Sequence, residues 1–279
     1  MVVLVTGGNG QLGQSLQSIA KNFPQIQFHF YESTRLNIAN KQNIEDVFKT
    51  VNPSFCVNAA AYTAVDKAES DSDNAYAVNV KAVKNLAESC KDFGCTLIHI
   101  STDFVFDGQL RFPYSETDAT NPKGVYGQTK LEGENEIRNI LENYFIIRTS
   151  WLYSKFGNNF MKTMLRLANE RNSISVVNDQ VGTPTHALDL AYAIVKIILS
   201  KSTQFGIYHF SNEGKASWYD FAQKIFELNK VAIDLKPIPS SEFPTPAKRP
   251  EYSVLDKSKI KAAFQITIDT WEAALYKHR

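Results

Sequence analysis

Apolar residues follow two rhythms along the first 150 positions. Short β-rich runs, VVLVT at 2–6, QIQFHFY at 25–31, SFCVNAA at 54–60, CTLIHIST at 95–102 and NYFIIRTS at 143–150, alternate with longer segments of helical spacing. The clearest helix is predicted from about Asp71 to Phe93, where Val83, Leu86, Ala87 and Cys90 keep to one stripe and Gly94 supplies the stop. Strand and helix repeated in this way predict an α/β fold, a doubly wound parallel sheet with helices on both faces. Past Trp151 the alternation loosens. Helices near 157–171, 186–200 and 217–229, with strands near 174–177 and 206–211, predict a smaller C-terminal lobe. The division is therefore 1–150 and 151–279, with some later segments free to return to the sheet. Five of the ten prolines lie between Pro237 and Pro250, which predicts an extended, stiff loop there.

Composition narrows the chemistry. With 43% hydrophobic and 21% charged residues and a net charge of +1, the chain has no field that would gather nucleic acid or an anionic membrane, so a small ligand is expected. Cys56, Cys90 and Cys95 have neither metal-ligand nor C-x-x-C spacing and read as reduced thiols. The opening MVVLVTGG lacks a basic leader, and the longest apolar stretch, AYAIVKIIL, is too short to span a bilayer and is broken by Lys196. A cytoplasmic protein is predicted.

TGGNGQLG, residues 6–13, follows the first strand and leads into a helix. Gly8, Gly10 and Gly13 fit G-x-G-x-x-G, and Gly7, Gly10 and Gly13 fit G-x-x-G-x-x-G. Such a turn brings backbone N–H groups and the positive end of a helix dipole up to a pyrophosphate. Glu32, at the end of the second strand, stands where an acid would meet the adenosine ribose. The bland alternative is a turn with a structural role alone. Taken together, strand, turn, helix and acid predict a Rossmann domain over 1–150 that binds NADPH or NADH.

Two Y-x-x-x-K pairs compete for the chemistry. Tyr126 and Lys130 open the helix between the fourth and fifth strands, near the STD (Ser101 to Asp103) that ends the fourth; Tyr192 and Lys196 sit in an apolar helix, where a core-facing Tyr and a snorkelling Lys are expected. At the first pair, hydride delivery to a carbonyl would leave an alkoxide needing a proton. Tyr126 is the expected donor, Thr102 the polariser of the oxygen, and Lys130 the ribose anchor and the cation that lowers the phenol pKa.

These blocks, in this order, resemble the extended short-chain dehydrogenase/reductases. NAAAYTAVDKAE (58–69), STDFVFDG (101–108), VYGQTKLEGE (125–134), RTSWLY (148–153), GNNFMKTMLRLA (157–168), VNDQVGTPT (177–185), YDFA and PTPAKRP (244–250) look more narrowly like the dTDP-4-dehydrorhamnose reductase family. That resemblance implies NAD(P)H-dependent reduction of the 4-keto group of dTDP-4-dehydro-L-rhamnose to dTDP-L-rhamnose, and a substrate-binding lobe over 151–279. It implies that Gly10, Gln11, Leu12, Ala61, Tyr62 and Thr63 line the cofactor, beside Gly7, Gly13, Glu32, Asn37 and Ile38. Thr102, Asp103 and Trp151 would contact the sugar nucleotide, with Asn159, Gln180 and Arg249 also on the substrate side. Singly, Trp151 could be core filling, Asn159 a helix cap and Arg249 a surface charge.

Three departures from the family pattern bear on function. Phe104 replaces a frequent Tyr. Leu36, Asn37 and Ile38 replace LDI, removing a carboxylate, so Glu32 favours NADH while Arg35 could pair with a 2′-phosphate. Ser15 and Leu188 stand where some members carry Mg²⁺-binding Glu residues, and Asp189 would point about 100° away from position 188. No metal is therefore expected, and a monomer or metal-independent dimer is. The competing functions are a reductase or epimerase of another nucleotide-linked keto sugar, and a non-catalytic dinucleotide-binding regulatory subunit.

Overall fold

The structure is a computed structural model that describes residues 1–278. Its first half runs β1 (Val2–Thr6), α1 (Gln11–Ala20), β2 (Gln27–Phe30), α2 (Lys41–Val51), β3 (Phe55–Asn58), the short α3 (Val65–Ala68), α4 (Ser72–Tyr76), a π turn (Ala77–Lys81), α5 (Ala82–Asp92), β4 (Thr96–Thr102), α6 (Val125–Ile140) and β5 (Tyr144–Thr149). The second half runs β6 (Leu152–Tyr153), α7 (Phe160–Glu170), β7 (Ser173–Val177), β8 (Val181–Gly182), β9 (Thr185–His186), α8 (Ala187–Ser200), β10 (Gly206–His209), β11 (Ala216–Ser217), α9 (Trp218–Leu228), β12 (Asp234–Ile238), α10 (Ser258–Phe264) and α11 (Trp271–Lys277).

Six strands form one parallel sheet in the order β10-β5-β4-β3-β1-β2. Successive side chains of a strand point to opposite faces, and β1 shows it. Val3 and Val5 enter a core with Leu16 of α1 and Ile194 of α8, whereas Leu4 joins Ile44 of α2, Leu86 of α5 and Ile137 of α6. The sheet is thus covered on both faces, which explains why its strands read as continuous apolar runs. Strand order reverses at β1, with β2 on one side and β3 on the other, and such a crevice at the carboxyl ends is where α/β sheets bind ligands.

The second half does not stay apart from this sheet. α8 packs on the β1 face and β10 extends the sheet beyond β5. A separate core, including Tyr153, Met164, Ile174, Phe221 and Trp271, gathers α7, α9 and the parallel pair β7–β12. The extended loop expected from Pro237 onward is corrected at its start, because Pro237 lies inside β12 opposite Val176. A two-stranded sheet leaves one edge of β12 unpaired, and there the missing N–H of a proline costs no ladder bond. The helix expected over 71–93 is likewise broken by the π turn, whose consequence appears at the site.

Candidate functional site

The chain leaves β1 through Gly7 at φ +67°, and a Cβ on Gly7 would lie 2.7 Å from the backbone of Ala59. A Cβ on Gly13 would lie 2.4 Å from the Gly7 carbonyl oxygen, so only glycine allows this turn to close. α1 begins at Gly10 with no side-chain cap and no acidic residue in its first turn, leaving its leading N–H groups for an anion. A dinucleotide pyrophosphate fits this cradle. Glu32 accepts a hydrogen bond from Asn9 Nδ2, and Arg35 lies 5.1 Å over the Tyr31 ring on the exposed side.

Several of the expected cofactor residues turn their side chains elsewhere. The Leu12 and Ile38 side chains are buried in the two cores flanking the sheet, and Asn37 Oδ1 accepts the Ala39 N–H at 3.0 Å. Gln11 turns toward the lobe, where its Oε1 accepts from Asn159 Nδ2 at 3.0 Å and Ser154 Oγ at 3.2 Å. Ala61, Tyr62 and Thr63 follow β3, and Asn79 of the π turn fixes them. Its Oδ1 accepts the Tyr62 N–H at 2.9 Å while its Nδ2 donates to the Tyr62 carbonyl at 3.1 Å and to Thr129 Oγ1 at 3.2 Å. One π turn inside a helix can re-aim a side chain in this way, and it is common at functional sites.

Tyr126 and Lys130 lie on α6, which sits close to the fourth strand because a side chain at Gly127 would strike the Phe104 carbonyl at 2.2 Å. The Tyr126 ring meets Phe104 edge to face at 5.6 Å. Its hydroxyl faces Thr102, whose Oγ1 donates to Asp103 Oδ1 at 3.1 Å and accepts the Phe104 N–H at 3.2 Å. Burial pushes the Tyr126 phenol up to about 12, opposed by the Thr102 hydroxyl and reinforced by the Asp103 charge. Asp103, buried at the end of β4, is itself raised to about 6 by burial. The expected lowering of the phenol pKa by Lys130 is corrected. Lys130 Nζ is turned under α6, donating to the Ile100 carbonyl at 2.7 Å and lying 3.2 Å from His99 Nε2.

The expected substrate side is more divided. Trp151 has a left-handed backbone at φ +46°, and its ring stacks on Trp218 at 3.5 Å and 7°. Gly182 closes the approach, since a Cβ there would lie 2.6 Å from Trp151 Cε2. Trp151 therefore offers a ligand its edge rather than a ring face. Asn159 is the N-cap of α7, with Oδ1 accepting from Lys162 N at 3.1 Å. Its amide nitrogen faces Gln11, Ser154 and Phe156, so the cap reading is the one the geometry favours. Gln180 and Arg249 do share a cavity of about 880 Å³ with Phe160, Thr163, Trp218 and Thr245. Arg249 is held there by a bidentate pair with Asp66 of α3, at 2.7 and 2.9 Å.

Tyr192 and Lys196 lie away from these groups. Against expectation Tyr192 is not core-facing: it is 42% exposed and edge-on to Phe23, and Lys196 Nζ donates to the Gln265 carbonyl at 2.6 Å. Ser15 Oγ donates to the Gln11 carbonyl at 2.8 Å, and Asp189 accepts from Asn212 at 2.7 Å and pairs with His278 at 2.8 Å. Among the described residues, no group of three or more His, Cys, Asp or Glu side chains is placed to hold a metal ion. No described helix is long and apolar enough to cross a membrane, and the three cysteines are buried and free.

Asn58, Asp66, Asn79, His99, Glu134 and Arg148 were not singled out from the sequence. Two left a trace: His99 interrupts the apolar run TLIHIST, and Asn79 interrupts AYAVNVKAV.

The family model described as the RmlD substrate binding domain matches residues 1–278. The dTDP-4-dehydrorhamnose reductase of Aggregatibacter actinomycetemcomitans is 41% identical, over 98% of this chain and 96% of that protein. The solved dTDP-4-dehydrorhamnose reductase of Clostridium acetobutylicum superposes with a TM-score of 0.95 at 40% identity, covering 100% of this chain and 98% of that one. The Bacillus anthracis enzyme of the same name, solved in complex with NADP, gives a TM-score of 0.95 at 38% identity, covering 99% and 98%. Agreement of this kind from end to end, in sequence and in backbone, means that the chain belongs to the dTDP-4-dehydrorhamnose reductase family.

Proposed function

We propose that this chain is an NAD(P)H-dependent oxidoreductase that reduces the 4-keto group of dTDP-4-dehydro-L-rhamnose to give dTDP-L-rhamnose. The observation that carries the reading is the buried Tyr126 phenol beside the hydrogen-bonded pair Thr102–Asp103, at the same sheet edge as the glycine cradle, in a chain similar throughout to reductases of that name. The nicotinamide, when bound, supplies the hydride. Gly7, Gly10, Gly13 and the head of α1 hold the pyrophosphate, with Glu32 or Arg35 at the adenosine ribose. Tyr126, kept protonated by burial, gives its proton to the oxygen that becomes the 4-hydroxyl. As charge develops on that oxygen, Thr102 turns its one hydroxyl proton from Asp103 to it. Asp103, the acceptor of the Thr102 proton until then, orients that hydroxyl, and the phenolate left on Tyr126 regains a proton from solvent as the products leave. Lys130 reaches the nicotinamide ribose only by swinging its Nζ away from the Ile100 carbonyl, and Gln180 and Arg249 take the nucleotide side of the substrate. Oxidation of NADH and NADPH, followed with a panel of dTDP-, GDP- and UDP-linked keto sugars, tests the reading; turnover restricted to sugars carried on GDP or UDP would refute it.

Both nicotinamides are compatible with the ribose end of the cradle. Glu32 accepts from a 2′-hydroxyl, which only NADH offers, while the exposed Arg35 can meet a 2′-phosphate. Glu32→Ala is expected to weaken NADH about tenfold, a loss of about 1.4 kcal/mol, and NADPH by less. Fluorescence titration with each cofactor checks this, and equal changes would remove Glu32 from the site.

Ser15 and Leu188 offer no pair of hard oxygen ligands, which supports a metal-independent enzyme, either monomeric or dimeric without a metal bridge. Activity and sedimentation should be unchanged by EDTA; loss of activity restored by Mg²⁺ is the opposite result. Three unpaired buried thiols support a place in the reducing cytoplasm.

A further inference from the structure

Lys130 is the most deeply buried amine near the site, 2% exposed, and the groups around its Nζ have a fixed polarity. Asn58, at the end of β3, accepts through Oδ1 from Thr6 Oγ1 at 2.6 Å and from the Ala60 backbone N–H at 3.2 Å. A backbone N–H can only donate, so Oδ1 must lie on that side and Nδ2 must face His99 Nδ1, 3.0 Å away. An amide NH₂ also only donates. His99 Nδ1 is therefore the acceptor.

The His99 ring is neutral, since burial and the nearby Lys130 hold its pKa well below the ordinary value. Its single proton then sits on Nε2, directed at Lys130 Nζ across 3.2 Å. Against an ammonium this is a donor facing a donor; against a free amine it is an N–H···N hydrogen bond. The remaining titratable groups nearby do not reverse the preference. Glu134, one turn further on α6, attracts the charged form, but its oxygens are engaged by Arg148 of β5 and Ser101 of β4. Tyr126 lies a turn earlier on α6 and is neutral. Burial brings Lys130 down to about 8, in the direction the geometry requires.

We propose that His99 is a positioning residue that sets the protonation state of Lys130, its Nε2–H being fixed through Asn58 by the backbone N–H of Ala60. In the cofactor-free protein Lys130 is thereby an amine that loses its proton near pH 8, well below the ordinary lysine range. This rests on the assignment of Lys130 to the site, but its test does not.

Nitrogen-15 NMR of the cofactor-free protein, labelled at His and Lys, reads both ends of the chain. His99 should be protonated at Nε2 above pH 8, and the Lys130 Nζ signal should titrate near 8. Asn58→Asp keeps the shape and the acceptor for Ala60 but presents an acceptor to His99. It should move the His99 proton to Nδ1 and raise the Lys130 midpoint by at least about one pH unit, a tenfold shift in its protonation equilibrium. His99→Gln can place an oxygen toward Asn58 and an NH₂ toward Lys130, and should leave the midpoint within a few tenths of a unit. A wild-type His99 protonated at Nδ1, or a Lys130 midpoint unmoved in Asn58→Asp, would overturn the proposal. If the keto-sugar assays fail while these shifts appear, the functional reading falls and the His99 assignment stands.

Discussion

Tyr126→Phe should lower the rate of sugar-nucleotide reduction by about 10²–10⁴-fold while cofactor affinity changes little. Hydride transfer to a carbonyl is stalled without a proton for the new oxygen, and Tyr126 is the only group among Tyr126, Thr102 and Asp103 that is both neutral and acidic enough to give one. Thr102 already donates its proton to Asp103 at 3.1 Å. Asp103, raised only to about 6, is largely ionised at pH 7.5 and accepts rather than donates. The substitution removes one oxygen and keeps the ring, so the edge-to-face contact with Phe104 and the close seat of α6 on the Phe104 carbonyl persist. Tyr192→Phe is the matched control and should leave turnover nearly intact, because Tyr192 lies at the surface against Phe23. Single-turnover rates and cofactor titrations of both variants decide the matter. Similar activities would mean that the wrong Tyr-Lys pair has been chosen.

The same two tyrosines show how far sequence could carry the reading. The alternation of strands and helices was legible because both faces of the sheet are covered, which makes β1, β3, β4 and β5 mainly apolar. The glycine turn was legible because its residue types are dictated by backbone contact. The burial that sets Tyr192 aside in the sequence is not found. Ala191, Ala193, Ile194 and Val195 are buried, while position 192, one helical step round, is not. What sequence could not show were contacts between distant positions. Lys130 meets His99 across 31 residues, and Arg249 meets Asp66 across 183. Nothing in the local pattern signals either partner, so Lys130 was assigned to Tyr126, its neighbour on the helix. The π turn is a further case, since no residue type specifies it and the polar Asn79 in an apolar stripe is its one trace.

Behind the reacting strand, a buried ion pair should prove a large single contributor to stability. Arg148 and Glu134 are 3% and 1% exposed, joined by Nη2–Oε2 at 2.7 Å and Nε–Oε1 at 3.0 Å, and Ser101 Oγ donates to the same carboxylate. Glu134→Ala would leave a guanidinium in the core with no counter-charge, and the expected loss is about 3–5 kcal/mol, a large share of the roughly 5–15 kcal/mol that holds a domain folded. The charge is the problem, not the gap alone. Arg148 Nη1 already lacks a hydrogen-bond partner and has only the Phe106 ring, 5.2 Å from the guanidinium carbon, as compensation. Removing both charges should therefore be milder than removing one. Glu134→Leu combined with Arg148→Met should recover more than half of the loss, with the remainder due to Ser101, whose hydroxyl would be left without its acceptor at a cost of about 1–3 kcal/mol. Urea unfolding of the single and double variants, with unchanged denaturant slopes, measures the difference. Because Ser101 adjoins Thr102, the double variant should also slow reduction more than its recovered stability would suggest. A double variant no more stable than Glu134→Ala would show that packing around α6, rather than the unpaired charge, sets the cost.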